Sequence, residues 1–243
     1  MKDGTTLSHT SVENDEDDWI CLTDGKSLSR LLYSNPVCFL SSSSSSKNKS
    51  VMVISWLTAM DNTGGFLMSI HENRHTASIL LLKSSFVLSV PVQGMESLIT
   101  SVGKTSSKWG SKFPQDYTNQ PPTTTLSQRK KMQSSSHVVS HGIEGLKAIH
   151  FTSSTNVFGI DGCVAHLQCQ VNQVLTSVNH HHILQCQIQL AHVRTDYWDS
   201  SKALFQPTSQ QHPPYLSFLG SQRFATIQPI ITDHHKHTTN LHP

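Results

Sequence analysis

The stretch Val51-Met52-Val53-Ile54-Ser55-Trp56-Leu57 is β-branched, aromatic and almost continuously apolar. Successive side chains of a strand point to opposite faces, so an unbroken apolar run predicts a strand buried on both. Turn chemistry follows at Asp61-Asn62-Thr63-Gly64-Gly65, and residues 66–70 read as the next strand. The period then changes. Asn73 is suited to cap a helix, and Ala77, Leu80 and Leu81 at three-four spacing predict a short helix over residues 74–83.

Working outward, residues 37–40 read as a short strand, stopped by six consecutive serines at 41–46 and then Lys47, Asn48 and Lys49. Such a run has no apolar surface to bury, so a solvated loop is expected. Residues 1–29 read as an acidic tail, with Glu13, Asp15, Glu16, Asp17 and Asp18 clustered. Downstream, residues 86–92 predict a strand. Met95, Leu98, Ile99 and Val102 mark one helical face, with Gly103 as its stop. Residues 106–140 are rich in Ser, Thr, Pro, Gln and Lys and read as a long solvated loop, the basic run Arg129-Lys130-Lys131 included.

Order returns at Gly142. Leu167, Cys169 and Val171 alternate with Gln168, Gln170 and Asn172, and Leu184, Cys186, Ile188 and Leu190 alternate with Gln185, Gln187 and Gln189. Both are period-two strands with one wet face, expected to pair as a hairpin across a connection that ends in His180-His181-His182. Tyr215, Leu216, Phe218 and Phe224 mark a closing segment, and residues 227–243 a histidine-rich tail. At least six strands with two short helices predict a mainly β chain, a closed or partly open barrel, and exclude an alternating βαβ sheet.

Composition narrows the function classes. Lys and Arg number 18 against 16 Asp and Glu, a net +2, too small a field to steer the 243-residue chain onto nucleic acid or an anionic membrane. No apolar run reaches the roughly 18 residues of a membrane helix, and none near Met1 reads as a signal peptide. Five cysteines, an odd number, fit reduced thiols in the cytoplasm better than a disulfide framework.

The familiar catalytic motifs are missing. Gly25-Lys26-Ser27 and Gly103-Lys104-Thr105 look like ends of phosphate loops, but the required upstream glycines are Ile20 and Leu98. Cys163, His166 and Cys169 are spaced by three, which on a strand sends His166 to the face opposite the cysteines, so no metal site is expected. No residue stands out as a catalytic acid, base or nucleophile.

Met52-Val53-Ile54-Ser55-Trp56-Leu57-Thr58 followed by Asn73-Arg74-His75-Thr76-Ala77-Ser78 resembles the flavin-reductase-like, FMN-binding split β-barrel family. There a strand of the form Asn-x-Met-Thr-x-Ser-Trp precedes Arg-x-Thr or Arg-x-Ser at a helix start. Further matches follow in order: Ser85-Phe86-Val87, Pro91-Val92-Gln93-Gly94-Met95-Glu96, Gly162-Cys163-Val164-Ala165-His166-Leu167 and Tyr215-Leu216-Ser217-Phe218-Leu219-Gly220-Ser221. The resemblance spans residues 30–226. It implies an FMN-binding domain in which Met52, Val53, Ser55 and Trp56 lie along the flavin ring. Arg74, His75 and Thr76 would take the phosphate, with Arg223 a further candidate. A helix start suits that role, since it offers unpaired N–H groups and partial positive charge.

The resemblance also implies a homodimer and hydride transfer from NADH or NADPH to bound flavin. Two positions depart from the family pattern, Ser50 for its Asn and Val53 for its Thr. Losing the threonine hydroxyl removes a hydrogen bond near the ring worth about 1 kcal/mol. A barrel that kept the fold but binds a partner or flavin without catalysis is therefore the alternative reading.

Overall fold

The computed structural model describes residues 35–43, 49–82, 85–117, 142–150 and 157–228. Seven strands form one antiparallel sheet: β2 (Cys38–Ser43), β3 (Lys49–Ile54), β4 (Leu57–Ala59), β5 (Gly65–His71), β6 (Ser85–Val90), β9 (Ala165–Val178) and β10 (His181–Val193). Their order is β3-β2-β6-β9-β10-β5-β4. The sheet curls into a half-barrel, and the only helices among the described residues are α1 (His75–Leu82) and α2 (Glu96–Lys104). A smaller antiparallel sheet joins β1 (Asn35–Pro36), β13 (Leu216–Gly220) and β14 (Arg223–Thr226). Four two-residue strands complete the set: β7 (Ala148–Ile149) with β8 (Gly159–Ile160), and β11 (Trp198–Asp199) with β12 (Leu204–Phe205).

The sheet is packed on both faces. Cys38, Leu40 and Ile54 enter one core with Met68, Phe86, Leu184 and Cys186. Phe39 and Val51 enter the other, under α2, with Phe113, Leu146, Phe158 and Leu216. Met52 packs on the first core and Val53 on the second, so the doubly buried strand expected from residues 51–57 is present in β3. It is shorter than expected. The chain breaks after Ile54, and Trp56 turns out to be 39% exposed, its ring against His181 at 4.9 Å.

Three further expectations are revised. β2 runs on through Ser41, Ser42 and Ser43, all buried. The Ser41 hydroxyl donates to the Phe158 carbonyl, with the Val87 carbonyl 3.5 Å away, so the buried serine is satisfied without water. α1 begins at His75, leaving Arg74 rather than Asn73 beside its first turn. The expected loop from 106 starts as ordered chain, with 3-10 turns at Ser107–Trp109 and Pro114–Tyr117 and with Lys112 and Phe113 buried between them. The acidic tail, the last serines of the run, residues 118–141 with the Arg129-Lys130-Lys131 run, and residues 229–243 lie outside the described residues.

Turn residues set the registers. Asn179 and His180 both have positive φ (48° and 63°), the two-residue primed turn that matches hairpin twist, and they join β9 to β10. Ser221 and Gln222 repeat that geometry between β13 and β14. Before β5, the Asp61 carboxylate accepts from the amides of Thr63 (2.8 Å) and Gly65 (2.9 Å). A side chain at 65 would put its Cβ 2.3 Å from Asp61 Oδ2 and push that carboxylate off the two amides it accepts from.

Candidate functional site

Four pieces of chain converge on one cavity of about 520 Å³. β3 supplies Val51, Met52 and Val53, and Ser55 lies just beyond it. The start of α1 supplies Arg74, His75 and Thr76. The second half of α2 and the chain after it supply Ile99, Lys104, Ser107 and Lys112. The β13–β14 hairpin closes the cavity with Phe218, Gln222 and Phe224.

The volume lies in the range of about 300–1,000 Å³ typical of small-molecule sites. Its walls are of two kinds. One is apolar, built from Val51, Val53, Ile99, Phe218 and Phe224; the other carries Arg74, His75, Lys104 and Lys112, and no acidic residue among the described ones lines the cavity. The His75 and Thr76 amides at the start of α1 have no intrahelical acceptors, which adds partial positive charge on that side. Positive charges crowd each other here. Burial, then the nearby Arg74 charge, pushes the Lys112 ammonium down to about 7. His75 is held below its ordinary value by burial, with Lys112 and Lys108 adding to the effect.

Two hydroxyls complete the description. Thr76 Oγ1 and Ser50 Oγ are 3.0 Å apart and buried, so Ser50 braces α1 against β3. Ser107 Oγ is buried without a hydrogen-bond partner among the described residues, and it lines the cavity. A buried hydroxyl left unpaired calls for a ligand or water partner. A ligand with an apolar body and an anionic end fits these walls.

Of the residues singled out in the sequence, Met52, Val53, Ser55, Arg74, His75 and Thr76 line this cavity. Trp56 and Arg223 do not. Trp56 packs toward the β9–β10 turn, and Arg223 is exposed beside the lining residues Gln222 and Phe224. Sequence reading missed Lys104, Ser107, Lys112 and Phe218. Lys112 was hidden in a Ser- and Lys-rich run, where the available signal was Phe113, an aromatic that anchors an otherwise polar segment and is fully buried.

The chain matches the model of the flavin reductase like domain over residues 28–212. It belongs to the flavin-reductase-like family. At that level its function is that of a flavin-binding oxidoreductase. Solved structures share the family's split-barrel fold at low sequence identity. An FMN-binding protein from Thermus thermophilus is 14% identical, with a TM-score of 0.58 over 88% of this chain and 96% of that one. An NADH:FAD oxidoreductase from Streptomyces globisporus is 14% identical, with a TM-score of 0.54 over 88% and 99%. The flavin reductase of styrene monooxygenase from Pseudomonas putida is 11% identical, with a TM-score of 0.55 over 86% and 100%. Comparison with curated proteins gives no match. No helix among the described residues is long and apolar enough to cross a membrane.

Proposed function

We propose that this flavin-reductase-like chain holds FMN in the cavity between β3, α1, α2 and the β13–β14 hairpin, and uses NADH or NADPH to reduce it. The observation that carries this reading is the pairing of an apolar wall on β3 with a cationic wall at the start of α1 that holds no acidic residue among the described ones. Met52, Val53 and Ser55 would lie along the ring, where Val53 and Ile99 keep water from one side. Arg74 and the amides of His75 and Thr76 would hold the phosphate, a charged fork beside a helix N-terminus. One phosphate subsite and no second nucleotide fingerprint favour FMN over FAD. When bound, the flavin supplies the hydride chemistry, so the chain needs no acid–base pair of its own.

The proposal extends to a homodimer in the cytoplasm. Exposed Val174, Leu175, Val178 and Leu190 on the outer part of β9–β10 are apolar surface that a second copy would cover. Cys38 and Cys186 are buried and pushed up to about 12, which suits thiols kept reduced.

The test is direct. Purified protein should be yellow, release FMN on heating, and oxidise NADH or NADPH in the presence of flavin. FAD as the dominant released species would overturn the FMN assignment. A protein that takes up no flavin at micromolar concentration and leaves NAD(P)H untouched would support the alternative, a non-catalytic barrel, with Ser50 and Val53 marking its altered site.

A further inference from the structure

The turn from β8 to β9 exposes two residues, Asp161 and Gly162, while Ile160, Cys163 and Val164 on either side are buried. The Gly162 amide donates to Asp161 Oδ1 at 3.0 Å. That bond holds the nitrogen of residue 162 against the carboxyl group of the residue before it. Gly162 sits at a φ of +82°, and a Cβ there would meet only Met95, with Cε at 3.5 Å and the sulfur at 3.8 Å. Lacking a side chain, residue 162 has nothing of its own to shield its amide.

The other described aspartates are committed elsewhere. Asp61 accepts from the Thr63 and Gly65 amides, and Asp199 from those of Ser201 and Lys202. Asp196 is paired with Arg194, and Asp116 with Lys49 and the Ser111 hydroxyl. Each of the four is followed by a residue with a side chain: Asn62, Ser200, Tyr197 and Tyr117. Among the described residues, only Asp161 combines exposure, a following glycine and a carboxyl in contact with the next amide.

We propose that Asp161-Gly162 is a site of spontaneous backbone modification, where Asp161 is converted to isoaspartate through a cyclic imide. This is independent of the flavin reading. Rotation about the Asp161 Cβ–Cγ bond turns the face of the carboxyl carbon toward the Gly162 nitrogen already beside it. The nitrogen attacks Cγ, the N–Cγ bond forms, and the amide proton and a carboxyl oxygen leave as water, closing a five-membered succinimide. Water then adds back at one of the two imide carbonyls. Opening at Cγ restores aspartate. Opening at the former main-chain carbonyl leaves the chain running through Cγ, one carbon longer, with a free α-carboxylate. One water leaves and one returns, so the step balances without any other reactant. The extra carbon falls in a short link with pinned ends. The Asp161 amide donates to the Lys147 carbonyl at 3.0 Å, and the Val164 amide to the Val90 carbonyl at 3.0 Å, one residue before β9 begins. Lengthening that link disturbs the start of β9.

The experiment ages the full-length protein for several weeks at physiological temperature and neutral pH. Chymotrypsin, cutting after Phe158 and Leu167, then releases the peptide 159–167. Isoaspartate in it is counted by separate elution at unchanged mass, and by methyl transfer from S-adenosylmethionine with an isoaspartyl methyltransferase. Counting on this peptide keeps the other Asp-Gly pairs, Asp3-Gly4 and Asp24-Gly25, out of the measurement. The same peptide, made synthetically, is aged beside it. Isoaspartate should accumulate at 161 in the folded protein within about fivefold of the free-peptide rate, because an exposed turn needs little opening to react. Asp161→Glu, which would have to close a six-membered ring, should abolish it. Gly162→Ala should slow it about tenfold or more by placing a Cβ beside the amide. Aged wild type should unfold at lower urea than fresh protein, whereas aged Asp161→Glu should match its fresh form.

Isomerisation at 161 more than about fivefold slower in the folded protein than in the free peptide would overturn the proposal, since the turn would then protect the pair. So would isoaspartate forming as fast at Asp61 or Asp199 as at Asp161, which would make exposure alone the cause. Equal loss of urea resistance in aged wild type and aged Asp161→Glu would overturn the link to β9. Should Gly162→Ala fail to fold at its positive φ, wild type, the free peptide and Asp161→Glu decide by themselves.

Discussion

Acid should destabilise this protein through His166. The ring lies at the start of β9, 6% exposed, with Nδ1 3.0 Å from Ser89 Oγ. That serine oxygen also accepts from the Ile160 amide at 3.1 Å, and its hydroxyl proton can go to Nδ1 of a neutral imidazole. Burial, with a smaller push from His192, lowers His166 from 6.5 to about 4, although the Cys163 carbonyl and Asp161 pull the other way. The unfolded chain therefore binds this proton more readily than the folded one. Stability is fully present above pH 6.5 and is lost as pH falls from 6.5 toward 4. A difference of about 2.5 units at 1.36 kcal/mol each is worth about 3 kcal/mol at the acid limit, and about 2 kcal/mol should be gone by pH 4.5.

Urea denaturation at pH 7 and pH 4.5 measures the loss, and His166→Asn isolates the share due to this ring. The variant should start less stable at pH 7, because its amide fills the imidazole's place poorly. It should then lose about 2 kcal/mol less than wild type on acidification. Parallel losses in the two proteins would refute the argument and shift the acid sensitivity to other groups.

Arg74→Ala should weaken FMN by about 1.5–3 kcal/mol, the range for a hydrogen bond to a charged group, and Arg74→Lys should restore only part of it. Riboflavin affinity should hardly move; equal losses for both flavins would give Arg74 a structural role. Phe39→Ala empties a fully buried site in the α2-facing core and should cost about 3–5 kcal/mol in urea denaturation. Gly142→Ala puts a Cβ 2.5 Å from the Pro114 nitrogen at a φ of +82°, next to the 2.7 Å bond from the Ile143 amide to the Lys112 carbonyl. It should destabilise by about 1–3 kcal/mol and weaken FMN as well, by moving the Lys112 wall; unchanged flavin affinity would separate that wall from the site.

The alternation of β9 and β10, the doubly apolar run of β3 and the helical face of α2 were all legible in the sequence. Each expresses a local rule: side chains one or two positions apart report which faces of an element meet the core. The same holds for Arg74, His75 and Thr76, because a helix start is a local event. Serine at 41–43 and lysine at 112 follow no such rule. Composition assigns both stretches to water, and only the partners brought from far along the chain reverse that: the Phe158 carbonyl over Ser41, and the carbonyls of Val51 and Val102 around Lys112. Trp56 errs in the opposite direction. Its apolar neighbours place it inside, but the break after Ile54 turns it out toward His181. What the sequence determined alone is the set of elements and one edge of the cavity. The rest of the cavity wall was decided by tertiary structure, since burying a polar or charged group depends on hydrogen-bond partners that only the folded chain assembles.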